Sequence, residues 1–168
     1  MQPLLPRSEY FATLHRIPAA AGALFFDEQG RLLILKTTYR DGYLIPGGMI
    51  EKNESPQQAC LREVEEELHL KLPVGMLLCV DYKPQSETTF NDETYQFMFD
   101  GGILTSEQIQ AIQLDPEEHI EFLFAPIEEA LTLCSPKLAR RLPFCLQARD
   151  TQTFVYLENG KPHQAGGV

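Results

Sequence analysis

The sequence predicts a single domain of mixed α/β or α+β class. Three observations lead to this prediction: strand and helix patterns alternate irregularly, glycine turns typical of hairpins join some of the strands, and one strongly capped helix lies in the first half. A length of 168 residues with 43% hydrophobic content suits one domain with a sizeable core. We expect the domain to span residues 1–168, with an N-terminal helix or arm over 1–17 and a frayed tail over 161–168.

The arm is predicted from a short apolar pattern. Tyr10, Phe11 and Leu14 have helical spacing within residues 7–16, which indicates a short amphipathic helix packed on the domain. An edge strand, or a contact in a homodimer, fits the same pattern.

Two strands and a short third one are predicted next. Residues 19–26 and 31–37 form apolar runs joined by a turn that ends at Gly30, a hairpin signal. Residues 38–42 then form a polar loop, and residues 43–46 a short strand that leads into a loop containing Gly47 and Gly48.

The best-defined element is a helix that follows the two glycines. Ser55 is the predicted N-cap, Pro56 the first helical residue and Gln58 the second half of a capping box, and the helix runs to about Leu68. Apolar residues at helical spacing predict a buried stripe formed by Ala59, Cys60, Leu61, Val64 and Leu68.

Three glutamates share another face of this helix. Glu63, Glu66 and Glu67 stand at i, i+3 and i+4, so we expect their carboxylates to come within reach of one point. Glu66 and Glu67 also lie in the last turn, where the helix dipole disfavours anions. A divalent cation such as Mg²⁺ resolves both problems, because it takes oxygen ligands from a few carboxylates, phosphates and waters. A solvated acidic face is the alternative for an arbitrary charge run.

The second half of the chain is predicted to complete the sheet and add helices. Residues 83–93 are too long for a tight hairpin and form a candidate substrate-facing loop, and residues 113–119 form another loop. Pro143 is expected to kink or break the last helix. The remaining predicted elements are strands over 74–82, 94–101, 120–125 and 153–157, and helices over 106–112, over 126–133 and from Ser135-Pro136 onward.

Charge and cysteine content exclude several classes of partner. The formal charge of −10 argues against a nucleic-acid duplex or an anionic membrane as the main partner, although a metal can invert the local field for a small anionic substrate. The 4 cysteines form no C-x-x-C pair, which excludes a zinc knuckle or a redox dithiol. With no secretory or membrane-spanning pattern, we expect a cytoplasmic protein with reduced thiols.

The residues around the capped helix match a known pattern. The pattern consists of Gly, five residues, Glu, seven residues and then Arg-Glu-aliphatic-x-Glu-Glu-x-Gly-aliphatic. Its positions are occupied here by Gly48, Glu54, Arg62, Glu63, Val64, Glu66, Glu67, His69 and Leu70. The chain therefore resembles a Nudix hydrolase of the MutT-like type. This resemblance implies an α/β/α sandwich in which the motif helix packs on a mixed β-sheet.

Two positions near this motif depart from what the family usually has. His69 stands where the family has a glycine in the left-handed conformation, and Asn53 stands where glycine is frequent. Both residue types tolerate that conformation, so we expect His69 to cost stability on the order of 1 kcal/mol and not activity.

The resemblance also implies roles for individual residues. Glu63, Glu66 and Glu67 would bind metal together with the carbonyl of Gly47 or Gly48, while Arg62 and Glu54 would orient these ligands. Glu66 would be the general base, with Glu117 and Glu118 as alternatives, because family members carry a further acidic residue in that region.

The leading hypothesis is Mg²⁺- or Mn²⁺-dependent hydrolysis of a phosphoanhydride bond. The substrate would be a nucleoside diphosphate linked to another moiety: a nucleoside triphosphate, ADP-ribose or another nucleotide sugar. Lys36 and Arg40 could contact phosphate, and a base could stack on Tyr39, Tyr43, Phe97 or Phe99. The alternatives are a catalytically silent nucleotide sensor, suggested by His69, and a structural calcium site.

Overall fold

A computed structural model of the chain describes residues 6–85 and 93–162. Within these ranges the helices are α1 (Arg7–Thr13), α2 (Pro56–Leu68), α3 (Ser106–Gln110), α4 (Ile127–Leu133) and α5 (Pro136–Asp150). The strands are β1 (Ala19–Phe26), β2 (Leu32–Thr37), β3 (Tyr43–Leu44), β4 (Gly47–Met49), β5 (Leu77–Lys83), β6 (Thr94–Ile103), β7 (His119–Ala125), β8 (Val155–Glu158) and β9 (Lys161–Pro162).

All of these strands belong to one mixed sheet. Its main order is β3-β2-β1-β6-β5-β8-β9, and β4 and β7 pair with β1 and β2, respectively. The pairs β1–β6 and β5–β8 are parallel, whereas the other pairs are antiparallel. The predicted hairpin of β1 and β2 shares a single residue pair, Phe26 with Leu32, because β4 pairs with the same edge of β1 at residues 20–22.

Two apolar cores lie on opposite faces of the sheet. Leu138, Leu142 and Cys145 of α5 pack on one face, where α4 also packs. Cys60, Val64 and Leu68 of α2 pack on the other. This is an α/β/α sandwich with α2 against the sheet, as predicted.

Several element predictions need correction. Gly47 and Gly48 lie in a strand paired with β1, not in a loop. Pro143 does not break α5, which is 15 residues long and runs past Pro143 to Asp150. Leu61 is not part of the buried stripe, since 37% of it is exposed on the outer side of α2. The predicted packing of α1 is also wrong, because none of its residues is buried.

Other predicted regions are only partly described. Of the predicted substrate-facing loop over 83–93, residues 86–92 lie outside the described ranges, as do residues 163–168 of the predicted tail. Lys161 and Pro162, at the start of that tail, form β9. In the part of the chain that the structure describes, no helix combines the length and apolar character required to cross a bilayer.

Candidate active site

Helix α2 is fixed at both ends by local signals. The Ser55 hydroxyl accepts a hydrogen bond from the Gln58 amide at 3.2 Å, and the Gln58 side chain accepts one from the Ser55 amide at 2.9 Å. His69 ends the helix in the left-handed conformation, with φ 53°, and its Nδ1 donates to the Gln113 carbonyl at 2.9 Å. Asn53, before the helix, also has the predicted positive φ, 66°. The predicted capping box and both left-handed positions are confirmed.

The two glycines bring the backbone of β4 against neighbouring groups. Gly47 has φ 144°, and a Cβ there would lie 2.3 Å from the Ala21 carbonyl oxygen of β1, so only glycine fits. A Cβ on Gly48 would lie 2.4 Å from the Glu63 carboxyl carbon. The Glu63 carboxylate therefore rests directly on bare backbone.

Arg62 joins three carboxylates of the motif. Its Nε and Nη2 donate to the two oxygens of Glu54 at 2.9 and 3.1 Å. Its Nη1 donates to Glu63 Oε1 and to Glu66 Oε2, both at 2.9 Å, and Nη2 also reaches the Met49 carbonyl at 3.0 Å. The hydrogen bond from Arg62 lowers the pKa of Glu54. These contacts are the ones that an orienting role for Arg62 requires.

Glu67 has a different environment from the other two glutamates. It is only 8% exposed, its Oε2 accepts a hydrogen bond from the Gly47 amide at 2.7 Å, and its Oε1 lies 3.2 Å from His119 Nε2. Burial raises the pKa of Glu67, although His119 and the Gly47 amide oppose the shift. Burial likewise raises the pKa of Glu63 against the effect of Arg62. Such shifts concentrate at functional sites, where a cation can reverse them.

The predicted trio of glutamates is divided in the structure. Glu63 and Glu66 are drawn to Arg62, whereas Glu67 turns toward the start of β7. Among the described residues, the group of three metal-ligating side chains whose atoms all lie within 4.8 Å of one another is Glu67, Glu118 and His119. The loop that carries Glu118 is tied to the end of β2, because the Thr38 amide donates to the Glu118 carbonyl at 2.9 Å.

His119 is the residue that sequence reasoning missed. The sequence places it at the boundary of a loop, yet the residue is buried, with 3% of it exposed. Its Nε2 lies 3.2 Å from Glu67 Oε1, an ion pair if the ring is protonated, and the geometry gives neither ring nitrogen a hydrogen bond among the described residues. The available signal was a histidine directly after Glu118, at the start of an apolar strand.

The residues predicted to bind substrate do not gather at this cluster. Tyr43 packs on the α4–α5 face of the sheet, opposite α2, and donates its hydroxyl to Glu121 at 2.5 Å. Lys36 lies over the Tyr43 ring, 5.6 Å from its centre. Phe99 is a core residue, 6% exposed, and Phe97 packs against the same α2-side core.

Two predicted residues remain on the surface of the 38–42 loop. Tyr39 is 63% exposed, and the Arg40 guanidinium stacks over its ring at 5.6 Å. Glu117 is also exposed, and its backbone amide donates to Asp115 while its carbonyl accepts from the Thr38 hydroxyl.

Comparison with known proteins decides the family. The NUDIX domain model matches residues 16–144 of this chain. The chain belongs to the Nudix hydrolase family. The Nudix motif predicted from the sequence therefore coincides with α2 and the strand before it.

Similar proteins act on several different compounds, according to their names. The chain is 38% identical over 50 residues to an RNA pyrophosphohydrolase of Hydrogenovibrio crunogenus, which is 30% of each chain. It is 37% identical over 67 residues to diphosphoinositol polyphosphate phosphohydrolase 3-alpha of Mus musculus, 40% of this chain and 39% of that protein. The matched stretches thus span well under half of these Nudix relatives.

Solved structures support the Nudix fold. A MutT protein from Methanosarcina mazei has a TM-score of 0.64 at 21% identity, covering 83% of this chain and 99% of that one. A UDP-X diphosphatase has a TM-score of 0.66 at 19% identity, covering 90% of this chain and 75% of that one. At these identities the likeness establishes the fold alone.

Proposed function

We propose that this Nudix protein hydrolyses a phosphoanhydride bond in a nucleoside diphosphate linked to another moiety, with Mg²⁺ or Mn²⁺ as cofactor. The observation that carries the proposal is the buried Glu67 carboxylate beside Glu118 and His119, next to the carboxylates that Arg62 holds. The names of the relatives, which include a pyrophosphohydrolase and a polyphosphate phosphohydrolase, support hydrolysis of a phosphoanhydride bond as the reaction.

The donor groups fit a divalent cation. Glu67 and Glu118 offer carboxylate oxygens within 4.8 Å of each other, and the buried His119 ring adds nitrogens that form no hydrogen bond within the described part of the chain. Glu63 and the carbonyl of Gly47 or Gly48 are further proposed ligands, because the Glu63 carboxylate lies on the backbone at Gly48. When bound, the cation activates water near neutral pH and neutralises charge on the diphosphate oxygens.

Glu66 is the proposed general base. Its side chain is 59% exposed, so water can reach it, and Arg62 fixes its orientation through Oε2 at 2.9 Å. A base must lie within hydrogen-bond reach of the water that it deprotonates, and the exposed Glu66 meets this condition more easily than the buried Glu67. Glu118 belongs to the ligand group, which makes it the weaker alternative.

Arg62 has a positioning role in this proposal. It fixes three carboxylates with one guanidinium, which prevents their mutual repulsion from separating them. Lysine could not replace it, since an ammonium group lacks the planar fork that binds both Glu54 oxygens.

For the rest of the substrate we propose a nucleoside triphosphate, ADP-ribose or another nucleotide sugar. Tyr39 and Arg40 keep their proposed roles in base stacking and phosphate contact, because they stand exposed on the loop after β2. Lys36 and Tyr43 are weaker candidates, since they engage each other and Glu121 on the opposite face of the sheet.

The proposal is tested with a panel of about a dozen such compounds, incubated with Mg²⁺, Mn²⁺ or EDTA, and with identification of the products. We expect hydrolysis at a phosphoanhydride that EDTA abolishes. Glu66→Gln should lower turnover about 100-fold or more. Glu65→Gln is the matched control, because Glu65 is exposed on the same helix and pairs with Lys71.

Two outcomes would contradict the proposal. Tight nucleotide binding with no product from any compound would favour the sensor function instead. Full activity of Glu66→Gln, with wild-type metal dependence, would exclude Glu66 as the base.

A further inference from the structure

Three buried polar atoms lack a hydrogen-bond partner among the described residues: Thr37 Oγ1, His119 Nδ1 and His119 Nε2. They are not scattered, because Thr37 and His119 are direct cross-strand partners of β2 and β7. Buried polar groups in folded proteins are nearly always paired. Three atoms without hydrogen bonds, on two residues that face each other across the sheet, therefore indicate a binding site for a ligand from outside the protein.

A local irregularity of the sheet puts His119 at this place. Lys36 pairs with Glu121 and Thr37 pairs with His119, so Ile120 is an extra residue in β7. In a regular antiparallel ladder Ile120 would pair with Thr37 and occupy this position. The bulge instead leaves Ile120 62% exposed and puts an imidazole at the buried position opposite Thr37.

Two carboxylates, which are potential metal ligands, also lie close to the imidazole. Its Nε2 lies 3.2 Å from Glu67 Oε1 on α2. One ligand atom from each of Glu67, Glu118 and His119 lies within 4.8 Å of the other two. Two carboxylates and one imidazole offer a mixed set of oxygen and nitrogen ligands. Such sets bind first-row transition-metal ions better than carboxylates alone do, whereas Mg²⁺ gains little from a nitrogen ligand.

We propose that His119 is a nitrogen ligand of the metal centre and makes it selective for Mn²⁺, or a later first-row divalent ion, over Mg²⁺. The proposal rests on the proposed function, because it concerns the metal of the same site. If His119 instead only positioned Glu67, no nitrogen would be bonded to the ion.

The experiment uses the full chain loaded with Mn²⁺ and pulsed electron paramagnetic resonance, which detects nitrogen nuclei bonded to the ion. We expect a coupling from one imidazole nitrogen in the wild-type protein, and its loss in His119→Gln. His15→Gln is the control, because His15 is exposed near the N-terminal arm and should leave the coupling unchanged. The wild-type spectrum needs no variant, so the test remains valid if His119→Gln fails to fold.

Metal selectivity provides the second readout. Titration calorimetry should show that His119→Gln weakens Mn²⁺ binding about tenfold or more and changes Mg²⁺ binding much less. Bound Mn²⁺ without a nitrogen coupling, or equal losses of Mn²⁺ and Mg²⁺ affinity, would overturn the role of His119 and leave the proposed hydrolysis intact. Failure of the wild-type protein to bind either ion would overturn both proposals.

Discussion

Asp27 is a buried carboxylate whose bonds hold the turn after β1. Its Oδ1 accepts from the Gln29 and Arg31 amides at 3.0 and 2.8 Å, and its Oδ2 accepts from Arg31 Nε at 2.6 Å. Burial acts to raise the pKa of Asp27, but the hydrogen bonds from Arg31 outweigh it and lower the pKa below the ordinary 3.8. The carboxylate therefore contributes stability above pH 3.8, and this contribution is lost as the pH falls through the folded-state pKa.

We predict that Asp27→Asn lowers the free energy of unfolding at pH 7 by about 1–3 kcal/mol. The difference from the wild-type protein should shrink as the pH falls below 3.8 and through the lowered folded-state pKa, where the wild-type carboxylate becomes protonated. Urea unfolding at pH 7, 4 and 3 measures both effects, with Glu28→Gln as the exposed neighbouring control. An equal difference at every pH would show that the charge of Asp27 is not what stabilises the turn.

His69 takes the left-handed conformation at a position where the family usually has glycine. Its ring also gains a hydrogen bond to the Gln113 carbonyl, which offsets part of the backbone strain. We predict that His69→Gly changes turnover less than twofold and changes the free energy of unfolding by no more than about 1 kcal/mol. A large gain in turnover, measured with the substrate found in the panel, would mean that the histidine suppresses catalysis and would revive the sensor hypothesis.

At the scale of elements, a buried ion pair joins α5 to the sheet. Asp81 of β5 is 1% exposed and Arg141 of α5 is 7% exposed; their side chains are hydrogen-bonded, and Asp81 Oδ1 also accepts from the Gly160 amide at 2.9 Å. Removing one partner leaves the other charge buried and unpaired.

We therefore predict that Asp81→Asn lowers the free energy of unfolding by about 3–5 kcal/mol. The double variant Asp81→Leu with Arg141→Met should lose less, because it removes both charges. Urea denaturation of the three proteins measures the difference. A double variant less stable than Asp81→Asn would indicate that the pair itself stabilises the fold.

Local signals explain which elements could be predicted. The cap, length and left-handed end of α2 depend on residues within one turn of each other, and the structure has all of them. The strand formed by Gly47 and Gly48, and the bulge at Ile120, depend on the register of β4 and β7 against other strands. Sequence spacing carries no information on that register, so His119 could not be placed beside Glu67.

At the scale of the whole molecule, periodicity predicted a mixed domain and the motif resemblance predicted the sandwich. The exposure of individual side chains was harder to predict, since it depends on how the strands are arranged in the sheet. Phe99 lies opposite Ala23 of β1 and Leu77 of β5 in a central strand, and Tyr43 lies opposite Lys36 of β2 on the α4–α5 side. These registers decide which face each side chain takes.

The candidate site is assembled from distant parts of the chain. Helix α2 supplies Glu63, Glu66 and Glu67, and β4 supplies backbone without side chains. Glu118 comes from the loop before β7, and His119 is the first residue of β7. Glu67 is the residue that contacts both other parts, through the Gly47 amide and His119. We propose that this carboxylate holds a cation on which phosphoanhydride hydrolysis depends.

The most direct test compares metal-dependent turnover of Glu67→Gln with that of Glu65→Gln, at matched melting temperatures. We predict that Glu67→Gln loses turnover on the order of 100-fold or more while its fold is retained, and that Glu65→Gln keeps wild-type activity. Product release at the wild-type rate by a folded Glu67→Gln protein, with unchanged dependence on Mg²⁺ or Mn²⁺, would show that Glu67 does not hold the catalytic cation.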